Sequence, residues 1–334
     1  MIAAGPVVIE NDALRVTIAP AVGGTITAVE YRPSGLSVLG TVPWDPVATP
    51  DGSFAAPDER RWLTRYTGGW PLLFPNGGDA CVVDGAVHGF HGEASIAPWT
   101  VVIRTAAGLR LRRRFFTVPV TMEREMSLDG DVLSVNERVT AHGERPLQVL
   151  WGQHVTFGSD LLAGDFVIET GAGTATVDDA YDPPCNPLVP GASGTWPTVP
   201  GKDGGAFDLS RPAGEIAAMA YLRDLAGAWA SVRRTDGSIA AALSWDAAAY
   251  PCAWLWYELG GTPEAPWHGR ARLLGIEPCS TWPAVGLQQS IGRGLPLVTL
   301  RPGIEMTTTV RLHVFAPAGR VTGVCTDGHA VGSE

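Results

Sequence analysis

Glycine and proline punctuate this chain so densely that a long helix has almost nowhere to form. Forty-one glycines and 27 prolines are spread through 334 residues. A glycine weakens a helix interior and a proline breaks it. Helical periodicity sustained over about ten residues is hard to find. What lies between the breaks is short and alternating. Leu14, Val16 and Ile18 face one way while Arg15 and Thr17 face the other, and Val310, Leu312 and Val314 alternate with Arg311 and His313. Such period-two runs are half-buried strands.

Turn signals join the runs. "WASVRRTDGSIAAALSW" reads as a hairpin with Thr235-Asp236-Gly237 at its tip, and "VTLRPGIEMTTTVRLHVF" repeats the pattern around Arg301-Pro302-Gly303. Many short strands without alternating helices predict an all-β sandwich. No composition break, charged linker or internal repeat divides the chain, so residues 1–334 are expected to form one domain. The segment from about Ala172 to Gly205 is the richest in proline and glycine. It is expected to run over the sheet as a long cover, a common place for function.

Composition excludes several classes of chemistry. Apolar residues make up 45% and charged residues 17%, which argues a folded protein long enough to bury its own core. A net charge of −10 with no basic block speaks against nucleic acid or an anionic membrane as partner. Lys202, in a Gly-rich loop, is the only lysine, so Schiff-base chemistry is unsupported. Cys81, Cys185, Cys252, Cys279 and Cys325 stand singly, which suggests neither a disulfide framework nor a zinc site. The chain lacks a P-loop, a nucleophile elbow and an H-E-x-x-H helix. Without a basic start, a sustained apolar run or a membrane-length apolar stretch, a cytoplasmic location is expected.

Three stretches carry candidate chemistry. In "RYTGGWPLLFPNGGDACVVDGAVHGFHGEASIAPW", glycines permit close backbone approach, and Arg65, Asn76, His88, His91 and Glu93 could line a concave surface. His88, His91 and Glu93 are also metal-ligating types. A spacing of three, however, puts two histidines of a strand on opposite faces unless a turn intervenes. Incidental turn histidines are the third reading. "PLQVLWGQHVTFG" delivers His154 to the end of an apolar run, as a buried core residue or as a general acid. In "WLWYELGGTPEAPWHGRARLLGIEPCSTW", Glu277 ends another apolar run, as an exposed strand-end carboxylate or as a desolvated base. Trp254 and Trp256 alternate, so both point to one face.

Taken in order, these motifs resemble the galactose mutarotase (aldose 1-epimerase) superfamily, including its hexose-6-phosphate epimerase branch. "HGF" followed by Trp99 resembles the family's His-Gly-Phe…Trp element. "GQHVTFG" is similar to the segment of its catalytic histidine, and "GIEPCS" to the strand of its catalytic glutamate. "LRPGIEMTTTVRLHV" is similar to its last turn and strand, and "RYTGGWPLLFPNGG" to its arginine-bearing loop. The resemblance spans nearly the whole chain and implies a large twisted antiparallel β-sandwich.

It further implies an isomerase exchanging the α and β anomers of a sugar, with no cofactor and no metal. Glu277 would take the anomeric hydroxyl proton while a protonated His154 gives one to the ring oxygen. Arg65, His88 and His91 would contact substrate and Trp256 would stack on the ring. An arginine-rich pocket would suit an anionic substituent. The implied partner is a small sugar, and the implied assembly a monomer or homodimer. Three other readings stay open: a carbohydrate-binding protein without catalysis, a metal-dependent isomerase or lyase through His88, His91 and Glu93, and a different isomerisation on the same fold.

Overall fold

The structure is a computed structural model, and it describes residues 5–46 and 56–333. Antiparallel strands dominate it. A 14-stranded sheet has its long axis in the strands Val120–Asp129, Val132–Ala141, Ile216–Arg234, Cys252–Leu259, Arg272–Cys279 and Glu305–Phe315. A 4-stranded sheet begins with Val7–Glu10, Leu14–Ala19 and Thr25–Tyr31. Inward residues of both sheets, among them Ile9, Val16, Ile18, Leu111, Met122 and Leu312, belong to one buried apolar cluster. This is the expected all-β sandwich. Among the described residues, no helix is long and apolar enough to cross a membrane.

The alternation that identified the strands also sorts their faces. Leu14, Val16 and Ile18 are buried and Arg15 is exposed. The Asp-Gly hairpin forms, with Ile216–Arg234 pairing Ala240–Trp245 around Thr235-Asp236-Gly237. The second turn differs from its sequence reading. Val298–Leu300 pairs with Leu147–Val149, whereas Glu305–Phe315 pairs with Val132–Ala141 and Ala240–Trp245. Gly303 donates its N–H to Ala141 O rather than closing a hairpin. The Pro-Gly turn therefore moves the chain between sheets.

One polar element crosses the core. Arg124 and Glu137 are cross-strand partners, both fully buried, with Arg124 Nε 2.9 Å from Glu137 Oε1. Glu137 Oε2 accepts from Trp151 Nε1 and Gln153 Nε2, each at 2.7 Å. Gln153 Oε1 in turn accepts from Trp70 Nε1 at 2.8 Å. This network anchors the residues that immediately precede His154.

Candidate active site

Strand register explains why a mid-chain histidine meets a late glutamate. Gly152 pairs with Cys279, and Val155 with Ile276, so the intervening His154 falls opposite Glu277. Alternation sends Trp151 and Gln153 into the core network and His154 and Thr156 to the other side. His154 Nε2 lies 3.6 Å from Glu277 Oε1, and the two residues are 5% and 2% exposed. Gly275 makes room for this. A Cβ there would stand 2.5 Å from Glu277 Oε1 and 3.2 Å from Trp256 Cβ, so the glycine in "LLGIEP" lets the carboxylate fold over its own strand.

A cavity of about 270 Å³ opens above the pair. That is at the small end of ordinary ligand pockets, roughly 300–1,000 Å³, and matches one small ring rather than a chain of them. One wall comes from the short helix Glu59–Leu63 and the turn after it, started by Asp58, whose side chain accepts from Arg61 N. Glu59, Trp62, Leu63 and Tyr66 line the cavity at spacings of three and four, one stripe of a helical turn. Another wall holds Trp254, Trp256 and Trp267, and Asp178 and Tyr181 reach in from just after the strand Phe166–Val177, which takes the start of the expected cover into the sheet.

His91 also lines the cavity, with its ring centroid 5.4 Å from that of His154. Its backbone has φ +58°, the left-handed turn that the glycines around it foreshadow. Gly78 N–H donates to His91 Nδ1 at 3.0 Å, so the ring proton sits on Nε2 as a donor. Burial, reinforced by His154, holds His91 well below the usual histidine range and therefore neutral.

The acid–base pair is displaced in opposite directions. Burial pushes His154 down to about 4 and drives Glu277 well above the ordinary carboxylate range. Loss of water holds His154 neutral, contrary to the imidazolium expected near neutral pH, because burial also pushes the Glu277 carboxyl beside it toward its neutral form. Glu277 Oε2 is buried without a hydrogen-bond partner. On its far side, His154 Nδ1 meets Thr156 Oγ1 at 3.0 Å, and Thr156 Oγ1 meets Tyr66 OH at 2.7 Å. Both hydroxyls can rotate to donate or accept, so this relay suits either protonation state of the ring.

The structure brings His154, Glu277, His91 and Trp256 to one cavity and places Arg65 and His88 elsewhere. Arg65 falls off the helical stripe that carries its neighbours Trp62 and Tyr66; its N–H closes the turn on Trp62 O, and it borders a separate small crevice. His88 is buried in the hairpin of Cys81–Val83 and Ala86–His88, where burial lowers its pKa. Asn76 staples the loop, donating to the carbonyls of Asp79 and Gly89 and accepting from Leu287 N.

The metal reading of His88, His91 and Glu93 finds no convergent ligands, because Glu93 is spent. It pairs with Arg113 and accepts from Phe116 N, Thr117 N and Thr117 Oγ1. Among the described residues, the one tight group of metal-ligating types is Asp131, His313 and His329. Ala330 N–H donates to His313 Nδ1, which leaves that ring's proton on Nε2, 3.2 Å from Asp131 Oδ2. That nitrogen therefore faces the carboxylate as an N–H and not as a lone pair for a metal.

Tyr66, Thr156 and Tyr181 were missed by sequence reasoning. The stripe in "ERRWLTRY" and the threonine two positions after His154 were the available signals.

No family model and no curated protein sequence matches the chain. Solved structures do. A protein of Synechocystis sp. PCC 6803 superimposes with a TM-score of 0.66 at 19% identity, covering 95% of this chain and 98% of that one. The galactose mutarotase related enzyme of Lactobacillus acidophilus gives 0.60 at 16% identity, over 93% of this chain and 97% of its own. The aldose epimerase homologue of C. elegans gives 0.61 at 14% identity, over 94% and 99%. The chain has the galactose mutarotase-like fold.

Proposed function

We propose that the protein exchanges the α and β anomers of an aldose by acid–base opening and closing of the ring. The observation that carries this reading is the His154–Glu277 pair, 3.6 Å apart at the floor of a cavity sized for one sugar ring. Glu277 takes the proton of the anomeric hydroxyl while His154 gives one to the ring oxygen. The bond between C1 and the ring oxygen breaks, C1 becomes an aldehyde, and rotation about the C1–C2 bond presents its other face. Closure reverses both transfers.

The opposed pKa displacements fit this cycle. A neutral carboxyl beside a neutral imidazole holds the same proton as a carboxylate beside an imidazolium. Moving it between the partners arms acid and base together, with nothing drawn from solvent. A hydroxylated substrate would supply hydrogen-bond partners for Glu277 Oε2 and His154 Nε2. The Thr156–Tyr66 relay reorients as the ring takes up charge. His91 Nε2–H is a fixed donor for a sugar oxygen, and Trp256 offers an aromatic face. Acid–base assistance of this kind is worth about 10²–10⁴-fold.

A polarimetric screen of aldoses with wild type and Glu277→Gln tests the reading. Accelerated mutarotation of at least one aldose by wild type, lost in the variant, is the expected result. Saturable sugar binding without acceleration would point instead to a carbohydrate-binding protein.

A further inference from the structure

We propose that the cavity selects a sugar carrying a protonated amino group, held at the rim by Glu59 and Asp79, and rejects sugars carrying a phosphate or carboxylate. The proposal concerns the rim and rests on the anomer-exchange reading only for placing the sugar ring over the floor.

Charge is the first argument. The acidic lining residues are Glu59, Asp79, Asp178 and Glu277, and the lining includes neither arginine nor lysine. Residues 47–55 contain no basic side chain that could supply one. The two lining histidines are held neutral by burial. Among the described residues, no cationic side chain stands within ion-pair distance of Glu59, Asp79 or Asp178. Asp178 takes its hydrogen bonds from neutral donors alone: Ala180 N, Tyr181 N and Tyr221 OH. Loss of water raises the pKa of Glu59 although part of the residue is exposed, and the neighbouring charges of Asp79 and Asp58 raise it further. An anionic substituent would enter a field of its own sign, whereas an ammonium would relieve it.

Hydrogen-bond chemistry is the second. The cavity is rich in acceptors and poor in donors. His91 Nε2–H is a fixed donor, while the indole N–H groups of Trp62 and Trp254 are spent on Ser95 Oγ and Thr281 O. A phosphate or carboxylate offers acceptors only, and an ammonium offers three donors. At the floor, the buried Glu277 Oε2 also has no hydrogen-bond partner.

The walls are the third. Tyr181, Trp256 and Trp267 border the same space as the carboxylates. Aromatic faces beside anions are the usual surroundings of a bound organic cation. Because Glu59 and Asp79 are exposed and Glu277 is buried, the amine belongs on a carbon remote from the anomeric centre.

Tryptophan-fluorescence titration with 6-amino-6-deoxyglucose, glucose and glucose 6-phosphate, near neutral pH, tests the proposal. The amino sugar is expected to bind about tenfold tighter than glucose at low salt, and the phosphate more weakly than glucose. That advantage should shrink at about 1 M salt, where the Debye length is roughly 3 Å. In the double variant Glu59→Gln, Asp79→Asn, the ratio of amino-sugar to glucose affinity should fall to within about twofold of unity. Phosphate binding equal to or tighter than glucose, an undiminished amine advantage in the double variant, or no binding by any of the three would overturn the proposal. Anomer exchange followed on the same samples separates the two readings. Binding in the expected order without accelerated exchange leaves the rim assignment standing and rejects the reaction.

Discussion

Two pairs of buried ionisable side chains, Arg124–Glu137 and His154–Glu277, are finished very differently in this sandwich. Arg124 and Glu137 face each other across neighbouring strands, and one Glu137 oxygen alone accepts from both Trp151 and Gln153. His154 and Glu277 also oppose each other across strands, yet one Glu277 oxygen has no partner and the histidine is neutral. The first pair is in contact, Arg124 Nε 2.9 Å from Glu137 Oε1, and sealed in the core; the second is 3.6 Å apart and opens to a cavity. A close ion pair enclosed by packing fixes a core, whereas an unmet acceptor beside a cavity leaves work for a ligand. Burial of charge alone would not have distinguished them.

Substitutions should break the comparison cleanly. The largest effect expected is on catalysis. Glu277→Gln should remove about 10²–10⁴-fold of anomer-exchange rate. Denaturant unfolding should show its stability unchanged or raised, because a desolvated carboxyl is gone. Arg124→Met should do the reverse to stability, lowering it by about 3–5 kcal/mol by stranding Glu137, while Arg124→Met with Glu137→Leu regains most of the loss. If Arg124→Met unfolded at the wild-type denaturant concentration, the Arg124–Glu137 pair would not be the anchor described.

Next in size is the pH response of the open pair. The folded state keeps His154 neutral while the unfolded chain takes up a proton below the ordinary value of 6.5. Stability is therefore full above 6.5 and falls as pH drops toward about 4. The loss is about 3 kcal/mol, and His154→Gln should abolish that component in unfolding measured at several pH values. Glu277 acts in the opposite sense. Its folded pKa lies above 4.5, so its contribution is present below 4.5 and is lost as pH rises through the raised value. Smallest is Thr156→Val, which removes the hydroxyl behind His154. It should slow exchange about tenfold and move the acidic limb of the pH–rate profile, whereas a merely structural role would lower stability and leave that limb in place.

The contrast also marks what could be read from the chain. Alternation at Leu14–Ile18 and the Asp-Gly turn at 236–237 were legible because strand faces and tight turns are local properties. His154 and Glu277 stood out as polar residues ending apolar runs, but their meeting depends on a register shared with Gly152 and Val155, which no local pattern contains. Arg65 stood out because an arginine in a glycine-rich loop draws attention, although a helical phase of one residue decides which side chains face the cavity. Tyr66, one position on, has that phase. His88 and His91 share a motif, and the left-handed turn at His91 separates their surroundings. The turn at Pro302 failed as a hairpin because partner choice between sheets is a long-range property.

The central claim is that His154 and Glu277 act on the sugar as one proton-sharing unit. Magnetisation transfer between the two anomeric proton signals of a sugar the wild type exchanges, measured for wild type, His154→Gln, Glu277→Gln and the double variant, tests it most directly. The account predicts that each single variant loses nearly all of the enzymatic acceleration and that the double variant is no slower than either. A single variant exchanging anomers at the wild-type rate, or losses that simply multiply in the double variant, would contradict it.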